Sequence, residues 1–359
     1  MWLVHTGDEK TIVWLMNAQP IKFYPQSKAL NKRQGLHDSF GRKLNYLRIS
    51  VTDRCNMRCD YCRPSADAYQ AESRSHILSF EEIARIVNVA ASLGVNKVRI
   101  TGGEPLVRKD LTDLVAQLSA IDGITDLAMT SNATYLAKHA VALKDAGLHR
   151  INISLDTLNP LRFKRLTGSD IQPVLDGIKA AQDASLFPIK LNTVLMKGVN
   201  NDEVAALMDF AWAMGATIRF IELMPMKQGL DWDKHYISVE DVLVQDDVQA
   251  RVDISPMQTG NTAARYLPLK HGKGEVGFIM PMSDRFCEGC NRLRLTADGG
   301  LRSCLPEDKH MNLRDVIRRG GSDDDIRAVF LRSALIKPEI GTYAFDADID
   351  KRSMIHIGG

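Results

Sequence analysis

No apolar run in this chain approaches the ~18 residues a membrane-spanning helix needs. The longest near the N-terminus, Thr11 to Met16, follows Asp8, Glu9 and Lys10 and precedes no small-residue cleavage site, so neither a membrane anchor nor a secretory signal is expected. Neither sign of charge dominates. The 46 Lys and Arg residues against 44 Asp and Glu leave +2, which gives no reason to expect nucleic acid or an anionic membrane as a partner. Any anionic ligand must therefore be held by local clusters of basic residues. Cysteine is missing from the whole of residues 63–286. The six cysteines fall into two tight triples, Cys55/Cys59/Cys62 and Cys287/Cys290/Cys304. A secreted disulfide framework would spread its cysteines along a shorter chain. Two sets of three point instead to metal ligation and a cytoplasmic protein. Apolar residues are plentiful at 45%, enough for a large core.

From about residue 45 to 255 short β-branched runs alternate with amphipathic stretches. Strands are expected at Leu47–Thr52, Lys97–Thr101, Leu127–Ser131, Arg150–Leu155, Ile189–Leu195 and Ile218–Leu223. Between them, Ser79-Phe80-Glu81-Glu82 is a capping box that opens a helix with Ile83, Ile86, Val87 and Ala90 on one face. Further helices are expected at Leu111–Ser119, Tyr135–Ala146, Val174–Ala184 and Glu203–Met214. Six right-handed parallel β/α units are too few for a closed eight-unit barrel, so the fold class is α/β: a partial, open β/α barrel followed by a C-terminal cluster-binding extension. A doubly wound sheet is the alternative. In either, the ligand belongs at the C-terminal ends of the strands, where the polar motifs fall. Three segments result: a leader over 1–37 that allows a small hairpin, the partial barrel over 38–255, and a C-terminal part over 256–359. In the last, Asn261, Gly272, Gly274, Gly277 and Pro281 break the chain into short pieces before two helices near Asn312–Arg319 and Asp323–Leu335.

Cys55, Cys59 and Cys62 give C-x-x-x-C-x-x-C directly after the first strand. Thiolates suit zinc or iron–sulfur clusters. Structural zinc wants four ligands, and the nearest further candidate is His76, well along the chain. Three cysteines on a four-iron cluster would leave one iron open to a small molecule. The second triple likewise has no evident fourth ligand, although His310 keeps a Cys₃His zinc site open. Arg292 and Arg294 stand at i and i+2 beside it, sharing one face of an extended segment, and guanidinium forks suit phosphate oxygens. Arg48, Arg99 and Lys190 fall on expected strands of the barrel interior, where an unpaired charge is unfavourable and a polyanion would supply the counter-charge.

The first triple, with Tyr61 just before Cys62 and with Thr101-Gly102-Gly103-Glu104-Pro105 one β/α unit later, resembles the radical S-adenosylmethionine superfamily. The second triple, Cys287-x-x-Cys290-Asn291-Arg292-Leu293-Arg294 with Cys304, is more specific. With Tyr46–Asp53, Lys97–Pro105, Phe220–Pro225 and the terminal Gly358-Gly359, it resembles the GTP 3′,8-cyclase family, which begins molybdenum cofactor biosynthesis. That resemblance covers roughly residue 38 to the end. It implies two [4Fe-4S] clusters, one on Cys55, Cys59 and Cys62 and one on Cys287, Cys290 and Cys304. It implies S-adenosylmethionine contacts at Tyr61, Gly103, Ser154 and Met224, and GTP contacts at Arg48, Arg99, Thr130, Lys190, Arg292 and Arg294. It implies a catalytic tail at Gly358 and Gly359, and the apolar character of the preceding Arg352–Ile357 suits that segment to dock the tail and direct it inward. Its implied partners are GTP, an electron donor such as flavodoxin or ferredoxin, a downstream cyclic pyranopterin monophosphate synthase, and a second copy in a homodimer. The chain departs from the family at Thr130-Ser131-Asn132-Ala133, where the family has glycine in place of Ala133. Alanine lacks glycine's freedom at positive φ, so a shifted turn is expected there. Two other classes stay open: a radical enzyme that modifies peptides with an auxiliary cluster, and a non-catalytic zinc-stabilised binding module.

Overall fold

The computed structural model describes residues 35–63, 71–225, 230–254, 263–271, 274–307, 310–341 and 354–358. The hairpin expected in the leader, and Gly359, lie outside the described residues. Six β/α units run as β1 (Tyr46–Ser50), α1 (Phe80–Ser92), β2 (Lys97–Thr101), α2 (Leu111–Ser119), β3 (Asp126–Ser131), α3 (Leu136–Asp145), β4 (Arg150–Ser154), α4 (Pro160–Thr167) and α5 (Gln172–Asp183). They continue as β5 (Lys190–Leu195), α6 (Val204–Ala213) and β6 (Thr217–Glu222). Short helices α7 (Trp232–His235), α8 (Val239–Leu243) and α9 (Asp246–Gln249) lead into β7 (Arg265–Pro268), β8 (Glu275–Ile279), β9 (Arg292–Leu295), β10 (Gly300–Arg302) and β11 (His310–Asn312). Helices α10 (Leu313–Arg318), α11 (Asp323–Leu335) and α12 (Met354–Ile357) complete the described chain.

All eleven strands join one sheet in the order β11-β10-β9-β1-β2-β3-β4-β5-β6-β8-β7. Strands β1 to β6 pair in parallel in chain order, as their crossover helices require. Two more parallel strands flank them: β9 beside β1 and β8 beside β6. Antiparallel strands then border each flank, β10 and β11 on one side and β7 on the other. The sheet is thus open, as expected, but the residues after 255 do not form a strand-poor appendage. They extend the sheet on both flanks with strands of three to five residues that no alternating helices set off in the sequence.

Alternation along the strands separates two faces. On β1, Leu47 and Ile49 are fully buried against the helical layer, while Tyr46 and Arg48 face the concave side. Helix α1 begins with the expected capping box: Ser79 Oγ accepts from Glu82 N–H, and Ser79 N–H donates to Glu82 Oε2 at 2.7 Å. Its buried stripe of Ile83, Ile86, Val87, Val89 and Ala90 packs on the sheet. Helix α4 was not legible as a separate element. Asn159 caps it, accepting from Leu161 and Arg162 N–H, and Pro160 occupies its first turn.

Ala133 corrects the expectation of a shifted turn. It holds the left-handed conformation itself, at φ 63°, so the turn after β3 keeps the geometry a glycine would give. Space for its methyl comes from Gly177 in α5. A Cβ built on Gly177 would stand 2.3 Å from the Ala133 carbonyl oxygen and 3.0 Å from the Ala133 Cβ.

Candidate active site

A cavity of about 550 Å³ occupies the concave side of the sheet. Inward residues of the strands line it along their whole length: Tyr46 and Arg48 on β1, Lys97, Arg99 and Thr101 on β2, Arg150, Asn152 and Ser154 on β4, and Lys190, Asn192 and Val194 on β5. All six cysteines line the same cavity. So do Tyr61, Gly103, Ser154, Met224, Arg48, Arg99, Thr130, Lys190, Arg292 and Arg294. Gly358 approaches it from the tail, its carbonyl accepting from Arg294 Nη1 at 2.9 Å.

The two triples stand at opposite rims. Cys55, Cys59 and Cys62 follow the C-terminal end of β1. Cys287 and Cys290 precede the N-terminal end of β9, which runs parallel to β1, and Cys304 follows the antiparallel β10 at that same rim. The second triple is therefore not at the strands' C-terminal ends, where every polar motif was expected. At roughly 3.3 Å per residue, a five-residue strand separates the two rims by about 13 Å.

The first triple is held by backbone. Arg58 N–H donates to Thr167 O at 2.9 Å, and Asp60 N–H to Leu166 O at 3.3 Å, which fastens the cysteine loop to the end of α4. Gly103 N–H donates to Thr52 O at 2.7 Å, and a Cβ on Gly103 would lie 2.2 Å from Arg54 O, so only glycine allows this turn to meet the loop. Tyr61 Oη donates to Asp156 Oδ2 at 2.7 Å, and Val194 N–H to Asp156 Oδ1 at 2.8 Å. Burial raises the Asp156 carboxyl to about 6 despite those bonds. Burial likewise raises Glu104 to about 7, although it accepts from Ser131 Oγ, Asn132 N–H and Leu106 N–H. Neither carboxylate was singled out in the sequence as a site residue; a lone acid beside Gly-Gly or after a strand carries no signal by itself.

Burial also pushes the thiols of the first triple up, Cys62 to about 12, with Cys55 and Asp156 adding repulsion. A bound cation is what would deprotonate them. In the second triple, burial opposes ionisation of Cys290, but Arg292 and Lys337 outweigh it and bring the thiol down to about 7. A Cβ on Gly341 would stand 2.9 Å from Cys304 Sγ, so that sulfur has room only because residue 341 is glycine. Among the described residues no three His, Cys, Asp or Glu side chains gather closely enough for a single metal ion. A four-iron cluster gives each thiolate its own iron, so its sulfurs need not converge on one point. Both triples, soft and three-membered, fit such a cluster. His76 is exposed and reaches Glu72, and exposed His310 on β11 does not line the cavity, so neither supplies the fourth zinc ligand weighed above.

Between the rims lies a rung of guanidinium groups. Strand register sets Arg302 opposite Arg294, Arg294 opposite Arg48, and Arg48 opposite Arg99. Like charges directly opposite destabilise a strand pair. Burial, with Arg294 close by, pushes the Arg48 guanidinium well below its usual value. Partners on the neighbouring cations are neutral: Arg99 Nε donates to Tyr46 Oη, Arg292 lies over the Phe286 ring at 4.6 Å, and Lys190 Nζ donates to Tyr266 Oη at 2.9 Å. Arg219, missed in the sequence, donates through Nε and Nη2 to Asn192 Oδ1 at 2.9 and 2.6 Å. Strand alternation with Ile221 and Thr217 could have found it. Acids at the cavity wall are already engaged. Asp126 pairs with Arg150, and Glu222 accepts from Val239, Met282 and Ser283 N–H. Thr130 Oγ1, Asn152 Oδ1 and Arg99 Nη1 are buried without a hydrogen-bond partner among the described residues. The arrangement suits a polyanion that also offers hydrogen-bond donors.

An open parallel sheet with three cysteines in the loop after its first strand defines a radical S-adenosylmethionine enzyme, and the Radical SAM superfamily model matches residues 49–211. The model for the Molybdenum Cofactor Synthesis C domain matches residues 216–342. The GTP 3′,8-cyclase of Pelotomaculum thermopropionicum is 43% identical over 90% of this chain and 100% of its own length. That of Listeria monocytogenes is 46% identical over 79% of this chain and 86% of its own. The chain belongs to the GTP 3′,8-cyclase family. Among solved structures, Streptococcus suis SuiB bound to S-adenosylmethionine superposes with a TM-score of 0.52 at 16% identity, covering 79% of this chain and 68% of that one, a likeness of fold alone.

Proposed function

We propose that this protein converts GTP to 3′,8-cyclo-7,8-dihydro-GTP, the first step of molybdenum cofactor biosynthesis. The observation that carries the reading is the cavity with a cysteine triple at each rim and a rung of arginines between them. Cys55, Cys59 and Cys62 would hold one [4Fe-4S] cluster, and Cys287, Cys290 and Cys304 a second. The first, when bound, supplies the electron that opens S-adenosylmethionine to a 5′-deoxyadenosyl radical. Tyr61, Gly103, Ser154 and Met224 would seat that molecule at the rim of the strands' C-terminal ends. Arg48, Arg99, Arg292 and Arg294 would take the triphosphate, with the fixed forks that phosphate oxygens favour. Lys190 and Thr130 would hold the remainder of the nucleotide, Thr130 through its unpartnered hydroxyl. So placed, the sugar would present C3′ to the radical, which would take its hydrogen and leave as 5′-deoxyadenosine. The C3′ radical would close onto C8 of guanine, and one electron from the donor with one proton would complete the 7,8-dihydro product. Gly358 and Gly359 would act in this closure, the first already bound to Arg294.

An electron donor such as flavodoxin or ferredoxin, a downstream cyclic pyranopterin monophosphate synthase, a homodimer and a cytoplasmic setting complete the proposal. Among the described residues no helix is long and apolar enough to cross a membrane. Residues 38–255 and 256–359 divide the work by cysteine triple, although both build one sheet. A peptide substrate has only the fold likeness to SuiB, also solved bound to precursor peptide SuiA, behind it, whereas the arginine rung favours a nucleotide. The deciding experiment is anaerobic incubation with reductant, S-adenosylmethionine and each nucleoside triphosphate in turn. GTP alone should drive 5′-deoxyadenosine formation in a protein carrying about eight irons. Equal turnover with every nucleotide, or with none, would overturn the assignment.

A further inference from the structure

Lys337 is 3% exposed and lies just past the end of α11. Its ammonium donates to Ser303 O at 2.6 Å and to Arg292 O at 3.0 Å. Those carbonyls belong to the residue before Cys304 and to the second residue after Cys290. Among the described residues no carboxylate pairs with it; besides the two carbonyls it meets Cys290, and a buried ammonium without an anionic partner is expensive in free energy. The residues that follow are fixed in the same place. Arg42 donates to Pro338 O at 2.6 Å, to Glu339 O at 2.8 Å and to Cys287 O at 2.7 Å, and buried Asp38 pairs with Arg42. Gly341 leaves the room that Cys304 Sγ occupies. Residues 337–341 thus form a strap pressed against the second triple, with the only side-chain charge of that strap that reaches inward, Lys337, between Cys290 and Cys304.

We infer that Lys337 is a positioning residue for the second cluster: its ammonium supplies the counter-charge to the thiolates of Cys287, Cys290 and Cys304 and thereby sets the cluster's reduction potential. The inference rests on the two-cluster reading. Reduction adds an electron beside three thiolates, and a fixed positive charge favours the more negative state, so the charge raises the potential. The two carbonyl bonds alone would hold the strap equally well with a neutral donor. Charge and geometry can therefore be separated by substitution.

The test uses the full chain with Cys55, Cys59 and Cys62 replaced by Ala, so that only the second cluster reports. Iron content and the midpoint potential from an anaerobic redox titration followed by electron paramagnetic resonance are compared for Lys337, Lys337→Arg and Lys337→Gln. The expected result is a potential held by Arg and moved to a more negative value by Gln. Iron lost in Gln but kept in Arg also supports the role of charge. An unchanged potential in the fully loaded Gln variant overturns the inference, as does equal loss of iron in Arg and Gln, which would make Lys337 a pin of shape alone. Absence of iron with Lys337 intact is a separate outcome: it overturns the two-cluster reading itself, and the role of Lys337 falls with it.

Discussion

Tyr46 stands one inward position along β1 from Arg48, beside the guanidinium rung, and its acidity carries a functional consequence. Burial resists its ionisation, but Arg99 and Arg48 outweigh that and bring the phenol down to about 8. Below that value the phenol is neutral and sets no negative charge beside Arg99 and Arg48. Above it a phenolate forms in the ligand-free protein and competes for the same charges, while bound triphosphate disfavours it. Affinity for GTP should therefore be level from pH 6 to about 8 and fall above it, approaching tenfold per unit where only the free protein is ionised. Isothermal titrations at pH 7, 8 and 9 read this directly; Tyr46→Phe should flatten the profile, and an equal decline in that variant would clear Tyr46 of the effect. A second residue-scale consequence concerns Gly177. Its substitution by Ala places a Cβ 2.3 Å from Ala133 O, an overpacking that should lower stability by about 1–3 kcal/mol in urea denaturation. Because the obstacle is a carbonyl, adding Ala133→Gly should not restore it. This pair shows where sequence reasoning stops: Ala133 was legible as an oddity, but the space that resolves it lies in a helix more than forty positions away.

Among the elements, capped and amphipathic helices were the most legible. Ser79 with Glu82 is read from four consecutive letters, because the capping bonds are local. Ser79→Ala should cost about 1 kcal/mol, visible as a lower urea midpoint with both triples still able to bind iron. A midpoint unchanged within error would show that Phe80 and the buried stripe hold the start of α1 without the cap. Strands β1 to β6 were legible too, within a residue or two, since each is a β-branched run between helical patterns. Strands β7 to β11 were not. They span three to five residues, and what makes them strands is pairing with partners distant in sequence, as Arg294 with Arg48. The same distance hid the second triple's place at the opposite rim, because position along a barrel depends on which strand a segment joins.

For the molecule as a whole, the C-terminal tail links folding to the site. Ile355 and Ile357 in α12 are each 1% exposed, which anchors the tail. Gly358 takes φ 70°, and a Cβ there would lie 3.0 Å from Ser50 Cβ. Removal of Gly358 and Gly359 should leave the melting temperature and the iron content nearly intact while formation of the cyclised nucleotide collapses. A large fall in melting temperature, or full activity, would each refute a role in catalysis. The cysteine spacings, the arginines and the tail were all legible in sequence because they are motifs of residue type. The shared cavity was not, because it exists only once both flanks of the sheet are in place.

That flanking arrangement sets a timetable for synthesis. Strand β9 lies beside β1, and Asn291 donates to Asn45 across a separation of 246 residues. Until the second partner leaves the ribosome, β1 presents an unpaired edge with bare backbone donors and acceptors, the kind of surface that draws other strands. At roughly 5–20 residues per second the exposed interval lasts on the order of 10–50 s. Pairings this remote close slowly, and the half-built sheet already carries its first three thiols. Shielding of that edge would matter most during this interval, and metal loaded before β9 arrives would enter an enclosure with one wall missing.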